Sequence, residues 1–271
     1  MNIDELTTKG FVEVDYPADI RLYVNEAVAS WRRFCELSQA TKLELSNNDR
    51  VYDFGYMLRR DKGETADSKE LFHVSRTQIA LLRERASRIS DERALIFINA
   101  IDTLLHSIST LVQDFAHQVE TKYGILNFES DTMRAIDNWT FRYVHYFGGE
   151  MLANPHCDRG GFTFHLYESH TGGEYLARDG KWMPWPISTS STMIFPSMML
   201  QHRSRGLLKA LWHRVLSTPE TKTNGRFALI GFIDFEHSYM YDYKAKRLQD
   251  FPPGFNYDLP FPEFAKMFTP S

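Results

Sequence analysis

The feature that most constrains this 271-residue chain is a change of pattern near Asn138. Before it, apolar residues recur every three or four positions. After it come short β-type runs, WTFRYVHYF, GGFTFHLY, GGEYLARDGKWMPWP, STMIFP and RFALIGFIDF, separated by Gly, Pro, Ser and Asn. Many short strands at such spacing are the pattern of a double-sheet jelly roll or cupin-like barrel, so residues 138–235 are expected to form one. Asp179-Gly180, between EYLAR and KWMPW, is a hairpin signal inside it.

Residues 1–137 read as mainly helical. Residues 10–14 alternate as a short strand that Pro17 ends, and Asp19 is placed to cap a helix carrying Val24, Val28, Trp31 and Phe34 at helical spacing. Residues 47–76 are polar, with Gly55 and Gly63, and read as loop with short strands. Ser90 and Asp91 then start one long helix, in which Leu95, Ile98, Ile101, Leu105, Ile108, Val112, Phe115 and Val119 share a face until Gly124 stops it. The expected class is α+β: a double-stranded β-helix core with N-terminal helices packed on it, in a single domain spanning 1–271. Residues 236–271, rich in Tyr, Phe and Pro, are expected to pack as a plain extension or to cover the barrel mouth as a lid.

Hydrophobic residues make up 43% of the chain and aromatics 14%, enough for a substantial core. The formal net charge is −4 with no long basic run, which argues against a nucleic-acid groove. Cys35 and Cys157 are too few for a disulfide framework. MNIDELTTKGF has no leader pattern, and no uncharged apolar run long enough to span a bilayer stands out, so a protein of the reducing cytoplasm, without membrane partners, is expected.

Within the β region, His156-Cys157-Asp158 and a downstream His213 in the string WHRV are the residues with chemistry to offer. In an extended segment His156 and Asp158 project together while Cys157 points away. Two imidazoles and one carboxylate on one face of a metal are the ligand set of non-haem iron(II) oxygenases, which leaves the other coordination positions open. The tripeptide alone serves a surface turn equally well. Its order among the surrounding motifs carries the argument.

Those motifs together resemble the isopenicillin N synthase-like family of iron(II) and 2-oxoglutarate dependent oxygenases. HCDRGGFTF is similar to the family's His-x-Asp-x-Gly-x-x-Thr segment, GGEYLARDGKWMPWP to its DGxW hairpin, SRGLLKALWHRVLS to the stretch ending in the distal ligand, and RFALIGF to its Arg-x-Ser strand. WRRFCELSQATKLEL and FGYMLRRDKGETADSKELF are similar to its early helix pair and GY/KE segment. The resemblance implies iron ligands at His156, Asp158 and His213. It implies that Arg226 holds the far carboxylate of 2-oxoglutarate and that Tyr146 assists. The implied cofactors are Fe(II), 2-oxoglutarate and O2, and the implied activity is hydroxylation, desaturation or cyclisation at an unactivated C–H bond of a small organic molecule. Asp158 disfavours halogenation, for which relatives keep a small residue there. Bacterial secondary metabolism is the expected setting.

Two residues depart from the family pattern: its serine is Ala228 here, and its asparagine is Val144. Losing the serine hydroxyl removes about 1 to 2 kcal/mol of carboxylate binding if nothing replaces it. An iron oxidase of the same fold that does not use 2-oxoglutarate is therefore a second reading, and a zinc-dependent cupin-type isomerase or hydrolase a third. His145, His165, His170 and His202 read as scaffold or loop residues, Cys157 as a small buried filler, and Tyr56, Arg142 and Phe164 as pocket residues.

Overall fold

The computed structural model describes residues 1–47, 54–59, 68–147, 151–236, 241–242, 247–248 and Ala265. Most of the tail, with the lid expected of it, lies outside the described residues.

The strands, in chain order, are β1 (Val12–Asp15), β2 (Ser46–Asn47), β3 (Phe54–Arg59), β4 (Lys69–Val74), β5 (Thr140–Tyr146), β6 (Met151–His156), β7 (Phe162–Glu168), β8 (Gly173–Leu176), β9 (Trp182–Pro184), β10 (Ser191–Pro196), β11 (His213–Leu216) and β12 (Arg226–Ile233). They form an eight-stranded sheet, β1-β10-β7-β12-β5-β4-β3-β2, and a four-stranded sheet, β6-β11-β8-β9. All the pairings are antiparallel. This is the double-stranded β-helix expected from the short runs after Asn138. The GFVEV strand joins the edge of the large sheet. Residues 69–74, within the region read as loop with short strands, form an inner strand whose Leu71, Phe72 and Val74 are buried.

Alternation decides what each face of the large sheet does. From β5, Phe141 and Tyr143 join the cluster beneath the helices, whereas Val144 and Tyr146 join a second cluster with Phe195 of β10, Trp185 and Val215 of β11. Because that second cluster draws on both sheets, it is the barrel interior. On the outer face, Trp31 and Phe34 of the Ala18–Cys35 helix and Phe97 of the Glu92–Ser107 helix meet Phe72 and Tyr143, with ring centroids 4.9 to 6.5 Å apart. Aromatic pairs at such spacing add about 0.5 to 1.5 kcal/mol each beyond burial.

Two helical expectations need correction. Asp19 lies in the first turn of its helix, and Pro17 occupies the cap position. The single long helix is two, Glu92–Ser107 and Ser109–Tyr123, separated at Ile108. Hydroxyls of Ser107, Ser109 and Thr110 bond back to carbonyls three or four residues earlier, which competes with the helical ladder at that point. Asp91 and Gly124 do mark the outer ends, Gly124 with φ 65°. By length and composition, 92–123 is also apolar enough to cross a bilayer, but its apolar side is in the core: Phe97, Ile98, Ile101, Leu104, Val112 and Phe115 are fully buried.

Candidate active site

His156 is the last residue of β6 and His213 the first of β11, and the antiparallel register sets them directly opposite one another. Their rings stand 4.2 Å apart. Asp158 follows two residues after the strand. Its carbonyl accepts from the Met198 amide at 2.9 Å and its carboxylate from the Thr163 hydroxyl at 2.6 Å, so both backbone and side chain are fixed. Cys157 turns into the apolar core, as alternation requires.

Each imidazole is oriented through Nδ1, His156 against the Asn154 carbonyl at 2.7 Å and His213 against the Leu211 carbonyl at 3.0 Å. A ring that donates from Nδ1 presents the lone pair of Nε2. The two Nε2 atoms lie 3.6 and 3.8 Å from Asp158 Oδ1, and one ligand atom from each of the three residues falls within 4.8 Å of the others. That is the spacing of donors around one metal ion. Burial drives the His213 imidazole down to about 4, with His156 adding to the effect against the pull of Asp158, so the ring stays neutral as a ligand must. Burial would raise the Asp158 carboxyl, but His213, His156 and Thr163 together hold it below the usual carboxylate range. Two neutral nitrogens and one anionic oxygen suit Fe(II), and they occupy one side only.

Deeper in the barrel, Arg226 starts β12 opposite Tyr146 of β5, its guanidinium carbon 5.7 Å from the tyrosine ring. Arg226 is 1% exposed, and its Nε meets no acceptor among the described residues. A buried guanidinium facing an aromatic wall has the chemistry of a carboxylate anchor. A carboxylate already lies on it: Glu168, at the end of β7, is paired with Arg226 Nη2. Trp185 donates its indole N–H to Glu168 Oε2 at 3.0 Å, and His165 Nε2 stands 2.7 Å from Oε1. Against the cost of burial, Arg226 and His165 bring the Glu168 carboxyl down to about 2.

Glu168 and Trp185 were not legible as site residues, and His165, outside the ligand trio as expected, is a buried strand residue facing the barrel interior. Strict alternation from Thr163 and His165 would turn Tyr167 inward. The β7–β12 register instead shifts at Leu229/Ile230, Leu229 facing Tyr167 and Ile230 facing His165, so that one extra residue on β7 rotates Glu168 into the barrel. Tyr167 goes outward, where Arg32 bonds its hydroxyl. Of the three expected pocket residues, only Arg142 shares the inward side of β5: it lies over the Phe232 ring at 4.7 Å and helps hold Asp158 ionised. Phe164 packs against Phe115 in the outer core, and Tyr56 bonds Glu70 there.

A second trio, Cys35, Glu70 and His145, is also close enough to surround an ion. The Lys42 ammonium, 2.6 Å from Glu70, already supplies its cation, and burial pushes the Cys35 thiol far above its usual range. This is a structural network on the outer face of the sheet. His145 bonds Glu70 at 2.9 Å and stacks on Phe227, on the side of β5 away from the barrel, as expected.

Residues 138–235 match the family model of the 2OG-Fe(II) oxygenase superfamily. A search of curated proteins finds no match. Among solved structures, Neurospora crassa T7H in complex with alpha-KG and 5-formyluracil superposes with a TM-score of 0.70 at 16% identity, over 88% of this chain and 79% of that one. DAO1 of Arabidopsis thaliana, a dioxygenase for auxin oxidation solved with 2-oxoglutarate, gives 0.68 at 15% identity, over 86% of each chain. JOX2 in complex with 2OG, Fe and JA gives 0.70 at 16%, over 99% of this chain and 84% of that one. At these identities the superpositions establish the fold, and the family model speaks for the barrel residues. Residues 138–235 thus carry the match to the 2OG-Fe(II) oxygenase superfamily, and the chain as a whole has the fold of oxygenases solved with 2-oxoglutarate.

Proposed function

We propose that His156, Asp158 and His213 hold the iron, and that the enzyme oxidises an unactivated C–H bond of a small organic molecule by hydroxylation, desaturation or cyclisation. The observation that carries this is the convergence of the three donors within 4.8 Å, with Asp158 fixed by Thr163. When bound, iron and 2-oxoglutarate supply the oxidising power, O2 being reduced as the 2-oxo acid is decarboxylated to succinate and carbon dioxide. The chain's own residues bind, orient and keep the site dry. Arg226, with Tyr146 beside it, is the cation that a far carboxylate of the cosubstrate would meet on reaching the end of the barrel. Arg142, which bonds His73 and lies over Phe232, adds positive charge near Asp158. A small organic substrate accords with the 5-formyluracil and JA bound by the similar folds.

The test measures iron content, oxygen uptake and succinate for the wild type and for Ala variants at positions 156, 158 and 213. Each variant is expected to lose stoichiometric iron and all iron-dependent turnover. Full iron binding in His213→Ala would overturn the ligand assignment.

A further inference from the structure

A buried arginine that awaits a cosubstrate carboxylate should be unpaired, and Arg226 is not. Its Nη2 is taken by Glu168, both side chains are at most 2% exposed, and the pair is electrically neutral. Nor is Glu168 there by accident of rotamer. The register shift in β7 aims it inward, Trp185 Nε1 donates to Oε2, His165 Nε2 stands 2.7 Å from Oε1, and Ala228, opposite it on β12, leaves it room where the family pattern has a serine. Trp185 also stands 5.7 Å from the His213 ring and 4.5 Å from His165, so indole fills the barrel between the metal ligands and the arginine.

We propose that Glu168 is a built-in occupant of the carboxylate anchor, so that this chain takes 2-oxo acids mainly by their metal-chelating end. It should then discriminate weakly between 2-oxoglutarate and 2-oxo acids that lack the far carboxylate. The reason is charge. With Glu168 in place the pocket already holds one cation and one anion, and a second carboxylate enters as an uncompensated buried charge or must first displace Glu168 from three partners. Either route taxes 2-oxoglutarate and spares a monocarboxylate of the same length, whose far end is a methyl group suited to the indole, Met193 and Phe195 around it. The inference rests on the iron and 2-oxo acid reading above. It adds a residue that sets which 2-oxo acid is preferred.

The experiment uses the full chain loaded with Fe(II) under anaerobic conditions and titrated with 2-oxoglutarate or 2-oxovalerate. The visible charge-transfer band reports binding, and metal content is measured separately. In the wild type the two affinities are expected to lie within about tenfold of each other. Glu168→Gln keeps the shape and removes the charge, and is expected to bind 2-oxoglutarate at least about tenfold more tightly while 2-oxovalerate changes little. A wild-type preference for 2-oxoglutarate above roughly a hundredfold would overturn the proposal even if the variant did not fold. So would unchanged or weaker 2-oxoglutarate binding in Glu168→Gln, which would make Glu168 an orienting partner of Arg226. If Fe(II) binds but neither acid produces a band in either protein, the cosubstrate reading falls and the proposal with it. A band that is insensitive to Glu168 sinks the proposal alone.

Discussion

At the residue scale, the geometry of the proposed iron ligands depends on groups outside the trio. Thr163 is fully buried, donates to Asp158 Oδ2 at 2.6 Å and lies 3.1 Å from the Ser197 hydroxyl. Its hydroxyl fixes which carboxylate oxygen remains for the ion and keeps the carboxyl ionised despite burial. Thr163→Val preserves shape and removes that donor. We expect iron affinity to drop by about 10- to 100-fold, read by competition with a chelator, with the fold retained by circular dichroism. Unchanged affinity would mean that the Met198 amide and the two imidazoles suffice to position Asp158.

At the element scale, close packing of β8 against the loop after β9 places the indole. A Cβ on Gly173 would lie 1.9 Å from Trp185 Cε2, so only glycine lets the ring seat against the strand. Gly180, in the β8–β9 turn, has φ 82° and nothing within 4 Å of a built Cβ. The two glycines therefore separate crowding from backbone strain. Gly180→Ala is expected to cost about 1 to 2 kcal/mol in urea unfolding and to leave iron affinity alone. Gly173→Ala is expected to cost about 1 to 3 kcal/mol and also to weaken iron binding, since Trp185 leans on His213. Equal effects of both on iron would refute the packing argument. The same distinction explains what could be read from the chain. The DG turn, the alternation of GGFTF and the pairing of His156 with His213 are local or periodic, and the sequence displays them. The β7 bulge that turns Glu168 inward exists only in the register with β12, and the seat of Trp185 only in the tertiary contact with Gly173. Neither leaves a periodic trace. The split at Ile108 was visible as a run of hydroxyls, Ser107, Ser109 and Thr110, but the apolar stripe continues through it and overrode the signal.

At the scale of the whole molecule, two buried carboxylates tie separate elements together and make stability depend on acid. Glu70 on β4 accepts from Lys42 of the Gln39–Leu43 helix, Tyr56 of β3 and His145 of β5. Burial alone would raise its carboxyl, yet these partners, His145 and Lys42 foremost, take it from 4.5 to about 2. Glu168 on β7 is brought to the same value by Arg226 of β12 and His165. A carboxyl whose folded value lies below its unfolded one binds fewer protons when folded. Its contribution is therefore complete above about 4.5 and is lost as the pH falls from there towards 2. The urea midpoint should accordingly decline through that window. Glu70→Gln should unfold more easily near neutrality, because Lys42 is left with a buried charge lacking its counterion, and its midpoint should fall less steeply as acid is added. If the variant kept the wild-type slope between pH 4.5 and 2, Glu70 would not be a source of the acid sensitivity. Retention of wild-type stability at neutrality would show instead that Lys42 reaches water when its partner is neutral.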